Sequence, residues 1–138
     1  MKRKYLDDLK VTDRWDQWYE DEPEAMEKFI REKEEYGFDS RETFSLNTTF
    51  FEWLYERVSM FKDKASRVID MESEQAHHYD YNGESVPLIK LIDKIIDNLE
   101  EYLTEHKHAP TLDMEEQLFN KALEAARIFV MILPSMWW

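Results

Sequence analysis

LIKLIDKIIDNLEEYL, residues 88–103, decides the fold. Leu88, Leu91, Ile92, Ile95, Ile96, Leu99, Tyr102 and Leu103 recur in steps of three and four, which gathers them on one side of an α-helix. Asp93, Asp97, Glu101 and Glu105 recur every four residues on another side. The spacing predicts a helix from about Ser85, as its cap, to His106, with Pro87 in the first turn and Pro110 in the connection that follows.

The same period appears on both flanks. Phe50, Phe51, Leu54, Val58, Phe61, Ala65, Val68 and Ile69 predict a core helix over about 48–70, capped by Asn47, with Trp53 and Arg57 beside the apolar stripe. Met114, Leu118, Ala122, Ala125, Phe129 and Ile132 predict a helix over 112–133, capped by Thr111 and stopped by Pro134. Phe51, Leu54, Val58 and Phe61 are expected to pack on Leu88, Ile92, Ile95 and Leu99 and on Leu118, Ala122 and Phe129.

Further out, Pro23 suits a first helical position and Gly37 a left-handed stop, so 23–36 reads as a helix with Met26, Phe29 and Ile30 as its short apolar stripe. Asp39-Ser40-Arg41-Glu42 has the form of a capping box opening a turn of helix through Leu46. Residues 71–84 break the helical period. Tyr79-Asp80-Tyr81-Asn82-Gly83 marks a tight turn or a small hairpin there. Residues 1–20 mix charge with Trp15, Trp18 and Tyr19 and read as a partly ordered arm packed through its aromatics. The expectation is one all-α domain over 1–138, a compact bundle of three long helices plus one or two shorter ones.

Composition agrees. Two glycines and four prolines in 138 residues are few for a turn-rich sheet protein. With no cysteine there is no disulfide framework, thiolate nucleophile or cysteine-ligated metal. The basic start, Met1 to Lys10, has no apolar core and does not read as a signal peptide. Ile128–Pro134 is the longest apolar run and is too short to span a membrane. The net charge of −13 is uneven: residues 70–116 hold thirteen acids against Lys90, Lys94 and Lys107, while 43–69 are slightly basic. Such a field repels nucleic acid and anionic membrane and attracts basic protein surfaces; plain solubility is the blander account of it.

Glu72, Glu74, His77 and His78, with His106 and His108 further on, are ligand types without a recurring metal spacing, so no metal and no cofactor is expected. Carboxylates are abundant, but no pair is singled out for acid–base work, and two glycines leave no room for a phosphate loop. Basic residues interleaved with aromatics are missing apart from Lys2-Arg3-Lys4. The stripe Asp93, Asp97, Glu101 and Glu105, extended by Glu100, sets like charges at i,i+4, which costs its own helix about 0.2–0.5 kcal/mol per pair. Either it is a solvated outer face under mild strain, or it meets a positive partner. Trp137 and Trp138 close the chain, and two indoles there are expected to dock on the body or against a partner.

Glu42-Thr43-Phe44-Ser45-Leu46-Asn47, followed by Phe51, Leu54, Arg57 and Phe61-Lys62, resembles a family of small uncharacterised proteins encoded by bacteriophages and prophages. Leu91-Ile92-Asp93-Lys94-Ile95-Ile96 is similar to the family's second helix, and Leu123-Glu124-Ala125-Ala126, Phe129 and Leu133 with a closing Trp to its end. The resemblance covers about residues 39–138. The chain departs from it at Phe44, where the family has Trp, at Asn47, where it has Asp, and at Glu56-Arg57-Val58, where it has Pro-Arg-Leu. The family has no agreed activity, so no site residue transfers. It implies a phage setting and the bacterial cytoplasm.

The expectation is a binding protein and no enzyme. Its acidic helical surface, Asp93, Asp97, Glu100, Glu101 and Glu105, with Trp137 and Trp138, would engage a basic host protein, such as a defence factor that binds nucleic acid. The alternative is a virion assembly protein forming a homo-oligomer.

Overall fold

The computed structural model describes residues 3–9 and 21–138. The expected packing of Trp15, Trp18 and Tyr19 lies outside them. Along the chain run α1 (Lys4–Asp8), α2 (Pro23–Tyr36), α3 (Arg41–Phe44), α4 (Leu46–Ala65), β1 (His78–Tyr81), β2 (Glu84–Pro87), α5 (Leu88–Glu105) and α6 (Leu112–Ile132). The described residues are mostly helical, with four long helices and one two-stranded sheet.

The core forms where α5 packs against both α4 and α6. Leu91, Ile92, Ile95 and Leu99 are buried there with Phe51, Leu54 and Val58 of α4 and Ala122, Ala125, Ile128 and Ile132 of α6. Ala122 and Ala125, lacking bulk, let α6 approach closely. Phe51, Tyr102 and Phe119 meet edge-to-face, with centroids 5.1–6.2 Å apart. Phe61 and Phe129, expected inside, are half-buried at the margin. Phe50, Met114 and Val68 are exposed. Phe50 lies on the flank of the α4 stripe and stacks on Trp53 instead.

Helix ends show where local chemistry overrules period. Gly37 takes φ 87° and stops α2, and Thr111 Oγ1 accepts the Met114 N–H at 3.2 Å to start α6. Asn47 does not cap α4: the helix begins at Leu46, two residues before the expected start, after Ser45 leaves the helical region (φ −132°, ψ 74°), and Asn47 Oδ1 accepts the adjacent Thr48 N–H. Nor does Ser85 cap α5. It sits in β2 opposite Asp80, and the strand holds the chain extended through Pro87, so the helix starts at Leu88. Leu88 N–H then donates to His77 O and Ile89 N–H to Met71 O. At its far end α4 stops at Ala65, short of Asp70. Beyond it Val68 and Ile69 N–H both turn back to Ala65 O.

The hairpin turns on Asn82 (φ 53°) and Gly83 (φ 82°), the left-handed pair a two-residue turn demands. It is tied to α6: the Tyr81 hydroxyl donates to Glu124 Oε1 at 2.7 Å, and Tyr79 hydrogen-bonds Ser135. No helix among the described residues is long and apolar enough to cross a membrane.

Candidate functional site: an acidic ridge and a basic aromatic groove

Each i,i+4 step advances about 40° around a helix, so a stripe on that repeat winds rather than running straight. Along α5 this divides the acidic stripe. Asp93 falls beside α4, where Lys62 Nζ stands 2.6 Å from Oδ1. Glu101 falls beside α6, where Lys121 Nζ stands 2.8 Å from both carboxylate oxygens. Asp97, Glu100 and Glu105 are exposed and have no ion-pair partner among the described residues. Their field reaches inward. Burial pushes the Tyr55 hydroxyl above its ordinary range, and Glu100 and Asp97 push it further. Asp113, Glu115 and Glu116, exposed at the start of α6, continue the acidic surface.

The terminal indoles do not bury themselves on the body. Trp137 is 74% and Trp138 59% exposed. The last turn after α6 is a 3₁₀ piece, Leu133–Ser135, and Pro134 within it ends the helical course before the indoles.

The histidines serve the loops. His78 Nδ1 lies 2.6 Å from Ala76 O, and His77 stacks on Tyr79 at 4.4 Å. His106 stacks on Tyr102 with Nδ1 2.7 Å from the Tyr102 carbonyl, and burial pushes its imidazole below the usual range. Among the described residues no three His, Cys, Asp or Glu side chains come together as metal ligands.

A second surface was not foreseen. On the side of α4 turned away from α5, Trp53, Arg57, Met60 and Lys64 follow one another at helical spacing, and Arg67 lies in the turn just beyond. With α1, Lys33 of α2 and Trp138 they line an open groove of about 1160 Å³. Tyr5 and Phe61 add apolar wall, while Glu42, Glu56 and Asp63 are the acids in the lining. Two of those acids serve α1: Arg3 reaches Glu56 as well as Glu52, and the Tyr5 hydroxyl donates to Asp63 at 2.8 Å. Arg57 lies over the Trp53 ring, 4.8 Å from its centroid. Arg57, Lys64 and Arg67 have no carboxylate partner among the described residues. The sequence signal was the mildly basic run 43–69. The groove itself is not legible in that run because α1, which completes the wall, comes from some fifty positions away.

No protein-family model, curated protein or solved structure matches this chain.

Proposed function

We propose that this chain is a non-enzymatic binding protein that engages a basic partner protein through the acidic ridge of α5. The observation that supports it most is the incomplete neutralisation of the ridge: Lys62 and Lys121 take Asp93 and Glu101, and Asp97, Glu100 and Glu105 stay exposed without counter-charge among the described residues. Unpaired like charges on one helix lower its stability slightly and are recovered against a positive surface. The packing of α5 against α4 and α6 supplies a firm backing. In the setting the resemblance implies, the bacterial cytoplasm during phage infection, the partner is a host factor whose own groove binds nucleic acid, and the ridge stands in for phosphate charge.

The test uses Asp97→Asn/Glu100→Gln/Glu105→Gln in the full chain. Capture of basic host proteins from lysate is expected to fall, and what remains to lose its salt dependence. Thermal stability should hold or rise. Asp93→Asn/Glu101→Gln, which removes only acids already paired, is expected to weaken capture less. Unchanged capture by the triple variant would end the reading. The exposure of Trp137 and Trp138 favours a second one, a homo-oligomer assembled through the indole pair. It predicts a size in solution that grows with concentration, resists salt, and reverts to monomer in Trp137→Ala/Trp138→Ala.

A further inference from the structure

We infer that the groove on the outer side of α4 docks an acidic segment of a partner protein, one that carries carboxylates with aliphatic or aromatic side chains between them. This surface is opposite in sign to the ridge and stands independently of the reading above.

Arg57 is the pivot. The Arg57 guanidinium carbon stands 4.8 Å from the Trp53 ring centroid, and a guanidinium held against an indole keeps N–H donors that can take a carboxylate through two parallel bonds. Its freedom is already restricted by the ring, so less is lost on binding. Lys64 and Arg67 continue the line as positions i+7 and i+10 from Arg57, and none of the three has a carboxylate partner among the described residues. In a chain with 31 acids and 18 bases, a groove lined by Arg3, Lys4, Lys33, Arg57, Lys64 and Arg67 against Glu42, Glu56 and Asp63 is a local reversal of the overall charge. Between them Met60 is 51% and Trp53 41% exposed, a greasy floor that needs a cover.

Those same details choose among anionic partners. Glu42, Glu56 and Asp63 lie in the lining. A nucleic-acid strand brings charge at every phosphate and would meet them. A peptide places carboxylates only where Arg57, Lys64 and Arg67 wait and apolar groups elsewhere. A second copy is disfavoured because each copy carries a net −13.

The experiment measures anisotropy of a labelled helical peptide with Glu spaced as the three cations are and Leu between, titrated with the full chain. Its Gln counterpart and an oligo-dT strand of similar length run beside it. The acidic peptide is expected to bind saturably, at least about tenfold more tightly than the Gln peptide. Arg57→Glu/Lys64→Glu should remove about tenfold or more of that affinity, and Asp97→Asn/Glu100→Gln/Glu105→Gln should not reduce it. Arg57→Gln/Lys64→Gln is the milder variant should the reversal disturb folding, with near-ultraviolet circular dichroism as the check on fold. Equal binding of the Gln peptide, tighter binding of oligo-dT, or no saturation at about millimolar chain would each overturn the inference. So would self-association that the groove variant abolishes, since the occupant would then be another copy.

Discussion

Arg41 and Asp39 show what a buried pair can hold in place. Both are almost fully buried, between the end of α2 and the start of α3. The guanidinium binds the carboxylate through Nε at 3.1 Å and Nη2 at 2.8 Å and lies over the Phe29 ring, 4.6 Å from its centroid. Asp39 Oδ1 also accepts the Arg41 N–H, and Asp39 N–H donates to Glu42 Oε2 at 2.9 Å, the reciprocal arm of the capping box. Burial by itself would raise the Asp39 carboxyl, but the Arg41 hydrogen bonds and charge outweigh it and hold the carboxyl below its ordinary value. Arg41→Ala is therefore expected to cost about 3–5 kcal/mol, because it strands a buried charge. Its pH dependence has a definite sign. In the parent the folded-state value is depressed, so the stability it confers is present above about pH 4 and fades as pH falls through the lower folded value. In Arg41→Ala the guanidinium is lost and only the backbone N–H of residue 41 and Lys33 Nζ, 4.0 Å away, still oppose burial, so the carboxyl rises relative to the parent and the deficit should shrink with acid. Urea midpoints of both proteins between neutral and acidic pH check it; a deficit that grows toward low pH would contradict it.

Among the elements, α2 was the most legible, its expected bounds of 23–36 being the observed ones, and α1 the least, since no helix was expected within residues 1–20. Ile95 is fully buried between its neighbours, and Phe61 is half-buried at the edge of the groove. Ile95→Ala is expected to cost about 2–5 kcal/mol in chemical denaturation and Phe61→Ala distinctly less, since a cavity open to solvent fills with water. An equal cost for the two would place Phe61 in the core after all. The three-and-four period located α2, α5 and α6 because each presents one apolar stripe, and Asn82-Gly83 located the hairpin because few dipeptides accept two left-handed residues. What the period could not show was which edge of a stripe is covered. Phe50 and Val68 fit the α4 pattern as well as Leu54 does, yet coverage depends on where α5 stops and where the chain turns back after Ala65. The ridge was legible as spacing, but its division by Lys62 and Lys121 needed the neighbouring helices. The groove needed α1 brought against α4, which nothing local announces.

At the scale of the whole molecule the net −13 opposes compactness, and the exposed pairs, such as Lys121–Glu101, return little against it. Raising salt from about 0.01 M to about 0.15 M shortens the screening length from about 30 Å to about 8 Å. The melting temperature is therefore expected to rise over that range; scanning calorimetry checks it, and a fall would mean that the ion pairs outweigh the repulsion. The attachment of α1 has a different consequence. Leu6 is fully buried against the core, Arg3 binds Glu52 and Glu56, and Tyr5 reaches Asp63, so five residues of helix hold on through partners some fifty positions away. The contacts of α5 with α6, by contrast, close over a short connection. Loop-closure entropy then sets an order of events, with the α5–α6 pair forming early and α1 seating late. By the same logic α1 is the first piece to lift away when the native state breathes. Each such opening strips one wall from the groove while the acidic ridge of α5 is left whole, so the two surfaces of this protein have separate lifetimes.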